Sequence, residues 1–268
     1  MSDKLEEFLS ILLWGFDRLL NPRMGRVGES YEAWAHRNGY SQQLRTLRSR
    51  GHVAGPGSTE DERLSRVGAL SEAGRLRALG GRDPEARWKR PWDGWWRMLV
   101  YDVPEWQNAT RVHLRRNLRG HCFGLMQESG WIHPDPAPEE IQQLQASGPD
   151  VRRVFILAGR PEPDLPDAAI VKAAWHFDGI NGRYREYLDL LEWPPVVYES
   201  ELSMNHEVRL REWLAKEREL WDAVISIDPL LPSELLPEDY LGRKAWALRC
   251  EVLPPLIHGL LGMSSDHP

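Results

Sequence analysis

The stretch from Trp95 to Pro134, WWRMLVYDVPEWQNATRVHLRRNLRGHCFGLMQESGWIHP, restricts the fold more than any other part of the chain. It switches between the strand period and the helix period. Arg97 to Val103 (RMLVYDV) is a short apolar run rich in β-branched and aromatic side chains. Pro104, which lacks an N–H for a ladder, ends it. Asn108 or Thr110 can cap a helix with Val112, Leu114 and Leu118 on its apolar side and Arg111, Arg115, Arg116 and Arg119 on the other. Gly120 stands where a helix-ending glycine would stand. Gly124 to Gln127 and Gly130 to Ile132 then supply a second strand with a bulge at a glycine. Val154 to Ala158 (VFILA) fits a third strand of the same sheet. Strand, helix and strand in this order predict an α+β chain.

Around this segment there is room for more than one domain, since 268 residues exceed the usual ~100–200 per domain. Only two cysteines, Cys122 and Cys250, are present. They make no disulfide framework, and a reduced, cytoplasmic protein is expected. The early apolar run from Phe8 to Leu20 is interrupted by Ser10, Gly15, Asp17 and Arg18, too short and charged for a membrane span. Glu6 and Glu7 ahead of it argue against a signal peptide.

The net charge of −6 would speak against nucleic acid if it were evenly spread. Residues 1–94 carry 16 Lys and Arg against 13 Asp and Glu, while the remainder carries 18 against 27. Between Glu32 and Glu60 there is no acid, and Arg37, Arg45, Arg48 and Arg50 lie there. A local basic surface suffices for a DNA-binding module, because phosphate attraction acts over about one Debye length, ~8–10 Å.

That basic region has the grammar of a helix-turn-helix. Residues 4–20 suit a helix, with Leu5, Phe8, Leu9, Leu12, Leu13, Phe16, Leu19 and Leu20 at helical spacing. Asn21-Pro22 ends it. Ser30 can cap a second short helix with Tyr31, Trp34 and Ala35 on one face. Gly39 makes a turn, and Ser41 can cap a third helix, 42–50, with Leu44 and Leu47 inward and Val53 closing the element. The opposite face, Gln42, Arg45, Thr46 and Ser49, follows i, i+3, i+4 and i+7 spacing. Those side chains can read base edges. With Gln43, Arg48 and Arg50 they form the expected DNA contact set. Arg63 to Arg75 (RLSRVGALSEAGR) reads as the return strand and helix start of a winged helix, and 54–62 (AGPGSTEDE) as the wing tip, acidic at Glu60, Asp61 and Glu62.

Gly80 to Trp92 has the composition of a linker, Gly, Pro and charge without periodicity. Its Arg87, Trp88, Lys89, Arg90 and Trp92 are expected to pack at a junction rather than to touch DNA. A short helix is expected at Glu139 to Gln145, and Gly159 to Asp167 breaks the chain again. Beyond it the pattern is helical. Ala168 to Trp175 and Arg183 to Leu191 read as short pieces joined by Asp178 to Gly182. Leu210, Trp213, Leu214, Leu220, Trp221, Val224 and Ile225 line a longer helix, stopped by Asp228 to Pro232.

Catalytic chemistry finds little support. No phosphate-cradling Gly-rich loop with a Lys and no nucleophile elbow is present. His176-Phe177-Asp178 and His206-Glu207 are isolated pairs. Cys122, between His121 and Phe123, reads as a buried, inert thiol rather than an activated one. No cofactor, metal or catalytic residue is expected.

Three spaced elements resemble one family. Tyr101-Asp102-Val103-Pro104-Glu105, then Arg-Val-x-Leu-Arg-Arg-x-Leu-Arg, Phe123 to Gln127 and Trp131-Ile132-x-Pro134 are similar to the central part of the PaaX transcriptional repressors. Trp175, Tyr184 and Tyr187 followed by Asp228-Pro229-x-Leu231-Pro232-x-x-Leu235-Leu236-Pro237-x-x-Tyr240-x-Gly242-x-x-Ala245 resemble their C-terminal domain. The apolar-x-Leu-Ser-x-x-Gly-Arg form near Arg75 resembles their winged helix. One helix departs: where family members carry a His and an Arg, this chain has Glu219 to Ile227, in which Trp221 and Ile225 read as packing positions.

The resemblance implies a winged helix at 1–82, a linker at 83–94, a ferredoxin-like middle domain at 95–160 and a helical C-terminal domain at 161–268. It implies a homodimeric repressor of a catabolic operon, bound to a double-stranded DNA operator and released by an aryl acyl-CoA effector, with no membrane contact. The middle domain is also similar to the small CRISPR adaptation nuclease, in which an acid at the place of Asp102 binds metal. A metal-dependent nuclease, with two copies of Asp102 brought together in a dimer, is therefore the alternative. A lone acid after a strand is not itself a metal site, so Asp102 is expected to accept hydrogen bonds.

Overall fold

The computed structural model describes residues 3–15, 35–53, 70–103, 108–139, 141, 154–195 and 204–263. The chain divides into two compact units. One comprises Met1–Asp83, Arg185–Ala223 and Arg243–Pro268; the other comprises Pro84–Tyr184 and Val224–Gly242.

The first unit is mainly helical where it is described. Helix α1 is Asp3–Trp14, α2 is Ser41–Ser49 and α3 is Glu72–Ala78. Leu5, Phe8, Leu9 and Leu12 of α1 are buried with Leu44 and Leu47 of α2. Leu210, Leu214, Leu253, Leu256, Ile257 and Leu260, from further along the chain, complete the same core. The predicted continuation of α1 through Leu20, the Ser30 cap, the Tyr31 and Trp34 positions and the wing at 54–62 lie outside the described residues.

The second unit contains helix α4, Pro84–Lys89, and strand β1, Trp96–Tyr101, followed by α5, Asn108–Gly120. Strands β2, Gly124–Gln127, β3, Gly130–His133, and β4, Val154–Gly159, complete an antiparallel sheet of order β2-β3-β1-β4. This is the strand order of a ferredoxin-like β-α-β-β-α-β chain. Leu99, Tyr101, Trp131 and Val154 are buried with Leu114 and Leu118 of α5 and Phe123.

Several sequence expectations change here. Gly124 to Ile132 is not one bulged strand but a hairpin, β2 and β3, turned at Glu128-Ser129, with a register shift between Leu125 and Gln127. Val112 is 54% exposed, so the buried side of α5 is carried by Leu114 and Leu118. Gly120 stays inside the helix, and the left-handed residue that ends it is Cys122, at φ 64°. The Phe123 N–H donates to the Leu118 carbonyl and the Cys122 N–H to that of Arg119, the paired bonds of a Schellman cap. Phe123 and Leu118 share the core beneath it. Cys122 is half-buried rather than fully buried.

The stretch read as linker holds α4, whose Trp88 is buried and whose neighbour Arg90 donates to both carboxylate oxygens of Asp135, at 3.0 and 2.8 Å. Of the residues expected to pack, Trp88 and Arg90 do so, whereas the Lys89 side chain is 72% exposed. Helices α6, Asp167–Ala174, and α7, Phe177–Leu191, follow. Residues 178–182 are not a joint but the opening turns of α7. His176 Nδ1 accepts the Gly179 N–H at 2.7 Å, and Asn181 is fully buried. Helix α8 is Met204–Ile227, a 3-10 turn occupies Ser233–Leu235, and α9 is Gly242–Met263.

Candidate functional site

The face of α2 is set by what its other side buries. Leu44 and Leu47 lie in the core at 5% and 0% exposure, which turns Gln42, Arg45 and Ser49 to solvent and leaves Thr46 half-buried. Gln43 and Arg48 flank this face and are half-buried, and Arg50 is exposed just past the helix. No acid lies in the helix. Two hydroxyls are already engaged as donors: Thr46 Oγ1 donates to the Gln42 carbonyl and Ser49 Oγ to the Thr46 carbonyl, each at 2.9 Å. Their oxygens retain acceptor capacity. Arg45 Nε donates to the Ser41 carbonyl at 3.4 Å, a marginal distance that leaves most of the guanidinium fork outward. Gln42 and Arg45 thus keep hydrogen-bonding groups turned to solvent.

Both ends of α2 are fixed by glycine. Before it, the Tyr40 N–H donates to the Ala35 carbonyl and the Gly39 N–H to that of His36, with Gly39 at φ 72°. After it, the His52 N–H donates to Leu47 and the Gly51 N–H to Arg48, with Gly51 at φ 70°. Both are Schellman arrangements, and the left-handed position costs a side chain about 1–2 kcal/mol that glycine avoids. Ser41 is the first residue of α2 and not its cap; Tyr40 holds that place without a side-chain cap bond. Tyr40 is buried and stacks on Phe8 at 4.8 Å. Arg211 Nη1 donates to its hydroxyl at 3.2 Å and also to Glu7. Burial, and then the Glu7 carboxylate, push the Tyr40 phenol up to about 12.

The Leu-Ser-x-x-Gly-Arg segment closes this module. Leu70 forms an antiparallel bridge with Val53. The Ser71 N–H donates to the His52 carbonyl at 3.0 Å, and Ser71 Oγ donates to the Gly51 carbonyl at 2.6 Å. The same Oγ accepts the Gly74 N–H at 3.1 Å, capping α3. Gly74 must be glycine, because a β-carbon there would overlap the His52 carbonyl. Arg75 pairs with Asp83 at 3.0 Å.

Two buried polar clusters lie among the C-terminal motif residues. Asp228 is fully buried and accepts the hydroxyls of Tyr184 and Tyr240 on Oδ2, each at 2.5 Å, and the Leu230 N–H on Oδ1 at 2.8 Å. Burial, followed by the nearby carboxylate, raises both phenols well above their ordinary value, so they remain donors. In the other unit Glu217, 1% exposed, accepts Arg249 Nε at 2.8 Å and the Tyr187 hydroxyl at 2.5 Å. Arg249 lies over Trp221 at 4.2 Å. Sequence reasoning missed this group, although an acid at the i+3 and i+7 places of the Leu210, Leu214, Trp221 seam was its signal. Asp102, the residue of the nuclease alternative, is exposed just beyond β1.

Residues 89–171 match the model of the PaaX protein central Cas2-like domain, and residues 175–254 that of the PaaX-like protein C-terminal domain. The curated proteins hold no match. Among solved structures the chain is similar to the uncharacterized protein Rv0674 from Mycobacterium tuberculosis, at 21% identity over 95% of each chain with a TM-score of 0.48. The two domain models lie in the order expected of one protein and between them span more than half of the sequence: the chain belongs to the PaaX family.

Proposed function

We propose that this chain is a sequence-specific DNA-binding transcriptional regulator, in which α2 is the recognition helix of a winged helix-turn-helix. PaaX proteins are a regulator family, which supports a binding rather than a catalytic role. One observation carries the DNA reading. Core burial of Leu44 and Leu47 presents Gln42, Arg45, Thr46 and Ser49 together on an acid-free helix that follows a glycine turn. Arg and Gln are the residues that pair bidentately with guanine and adenine edges, while Arg48 and Arg50 alongside suit phosphate. Among the described residues no helix is long and apolar enough to cross a membrane.

The finer reading is a homodimer that represses a catabolic operon and is released by a small effector such as an aryl acyl-CoA. A dimer would set two α2 helices on half-sites about one DNA turn, ~34–36 Å, apart. Gel retardation with the DNA upstream of the chain's own coding region tests the proposal. A shifted band that weakens with added salt is expected. No retardation at low salt would count against DNA binding.

A further inference from the structure

The second unit contains a cleft of about 560 Å³ at one edge of its sheet. That is within the ~300–1,000 Å³ range of small-molecule sites. Its apolar wall includes Phe123, Trp131 and Trp175, and every charged side chain lining it is a cation or an imidazole: Arg119, Arg183 and His176. Among the described residues no carboxylate lines it, in a chain whose net charge is −6.

Arg119 and His176 are placed by contacts that do not involve a ligand. Arg119 lies over the Trp131 ring at 6.0 Å. His176 Nδ1 accepts the Gly179 N–H at 2.7 Å, so the neutral ring carries its proton on Nε2, a second donor. A β-carbon on Gly179 would overlap that imidazole, so the helix start and the ring are fitted to each other. Trp175 is locked by its indole N–H to the Cys122 carbonyl at 3.2 Å and by Gly124, where a β-carbon would lie 2.6 Å from the ring. The indole N–H of the buried Trp131 has no acceptor among the described residues, which is costly unless something else supplies one.

A neighbouring cleft of about 550 Å³ shares Trp175 and His176 but is lined by five acids, Asp167, Asp178, Glu234, Glu238 and Asp239, against one further cation, Lys172. The two flank the same residues with opposite charge.

We infer that the basic cleft binds a small organic anion with a flat apolar body, its carboxylate or phosphate held by Arg119, Arg183 and His176 and its ring against the aromatic wall. The cleft stands on its own lining, without the DNA reading; only a role for its ligand as the effector rests on that reading. Isothermal titration of the full chain with 1-naphthyl phosphate and with neutral 1-naphthalenemethanol tests it. The phosphate is expected to bind at one site at least tenfold more tightly than the alcohol. Arg119→Glu and Arg183→Glu, both at exposed positions, are each expected to weaken it at least tenfold with unchanged circular dichroism. Arg45→Ala is expected to leave it unchanged, which separates failure here from failure of the DNA reading. Equal affinity for the two probes, no binding of either, or undiminished binding by the charge-reversed variants would overturn the inference.

Discussion

The α-carbon of Gly74 rests against the backbone carbonyl of His52, so closely that a β-carbon would overlap the oxygen. This contact seats α3 on the segment leaving α2, and Ser71 reinforces it with bonds to Gly51 and His52. Gly74→Ala is expected to destabilise the first unit by about 1–3 kcal/mol, the usual cost of overpacking, although alanine favours helices. Gly182, inside α7 with nothing within 4 Å of its would-be β-carbon, supplies the contrast. There the same substitution is expected to stabilise by about 1 kcal/mol. Urea unfolding of the two variants should shift in opposite directions.

The Asp228 cluster is expected to behave as one unit. Tyr184→Phe or Tyr240→Phe removes one of two hydroxyl bonds to the same oxygen, a loss of about 1–2 kcal/mol each. Asp228→Leu leaves both phenols and the Leu230 N–H without their acceptor and is expected to cost about 3–5 kcal/mol. A double-mutant cycle on Tyr184 and Tyr240 should show coupling; strict additivity would mean the two act separately.

His133 gives the fold an acid sensitivity. Burial, above all, lowers its pKa to about 4, against the pull of Asp135. Its Nδ1 accepts the Asp135 N–H at 3.0 Å, and its ring lies 4.8 Å from that of Phe123. An unfolded histidine titrates near ~6.5, so between about 6.5 and 4 the unfolded chain binds the extra proton. The contribution is therefore complete above about pH 6.5 and is lost as pH falls toward about 4. His133→Gln is expected to flatten the stability curve in that window by about one proton. Parallel curves for the two proteins would contradict it.

Cys122 occupies a left-handed cap position where glycine is the favoured residue. The bond from Trp175 reaches its backbone carbonyl, not its thiol. Cys122→Gly is expected to retain that bond and to raise the stability of the second unit by about 0.5–1 kcal/mol in thermal unfolding.

What was legible in the sequence followed periodicity and apolar runs. The helix over Leu114 and Leu118 and the inward pair Leu44 and Leu47 repeat apolar residues at helical spacing, while the strand read at 97–103 and found at Trp96–Tyr101, and the VFILA strand, stood out as short apolar runs. Positions were misread where a local rule was applied without its neighbours. Gly120 looked like a helix stop, but the cap forms two residues later because Phe123 can then join Leu118 in the core. Gly179 and Gly182 looked like a break, yet His176 and buried Asn181 hold the helix through them. Helix α9 carries Pro254 and Pro255 in its interior, and the sequence reading gave it no bounds of its own. The basic cleft joins side chains from residues 119 to 229, and no spacing rule brings those together.

Selection of bound duplexes from a random pool, followed by anisotropy on the enriched sequence with Gln42→Ala and Arg45→Ala variants, tests the DNA reading most directly. One enriched motif is expected, repeated with two-fold symmetry about one helical turn apart if the protein is a dimer. Arg45→Ala is expected to weaken binding by about 1–3 kcal/mol and to relax the preference at one base position, the cost of a lost bidentate contact. Enrichment of no sequence, or variants that bind the motif as tightly and selectively as the parent, would contradict it.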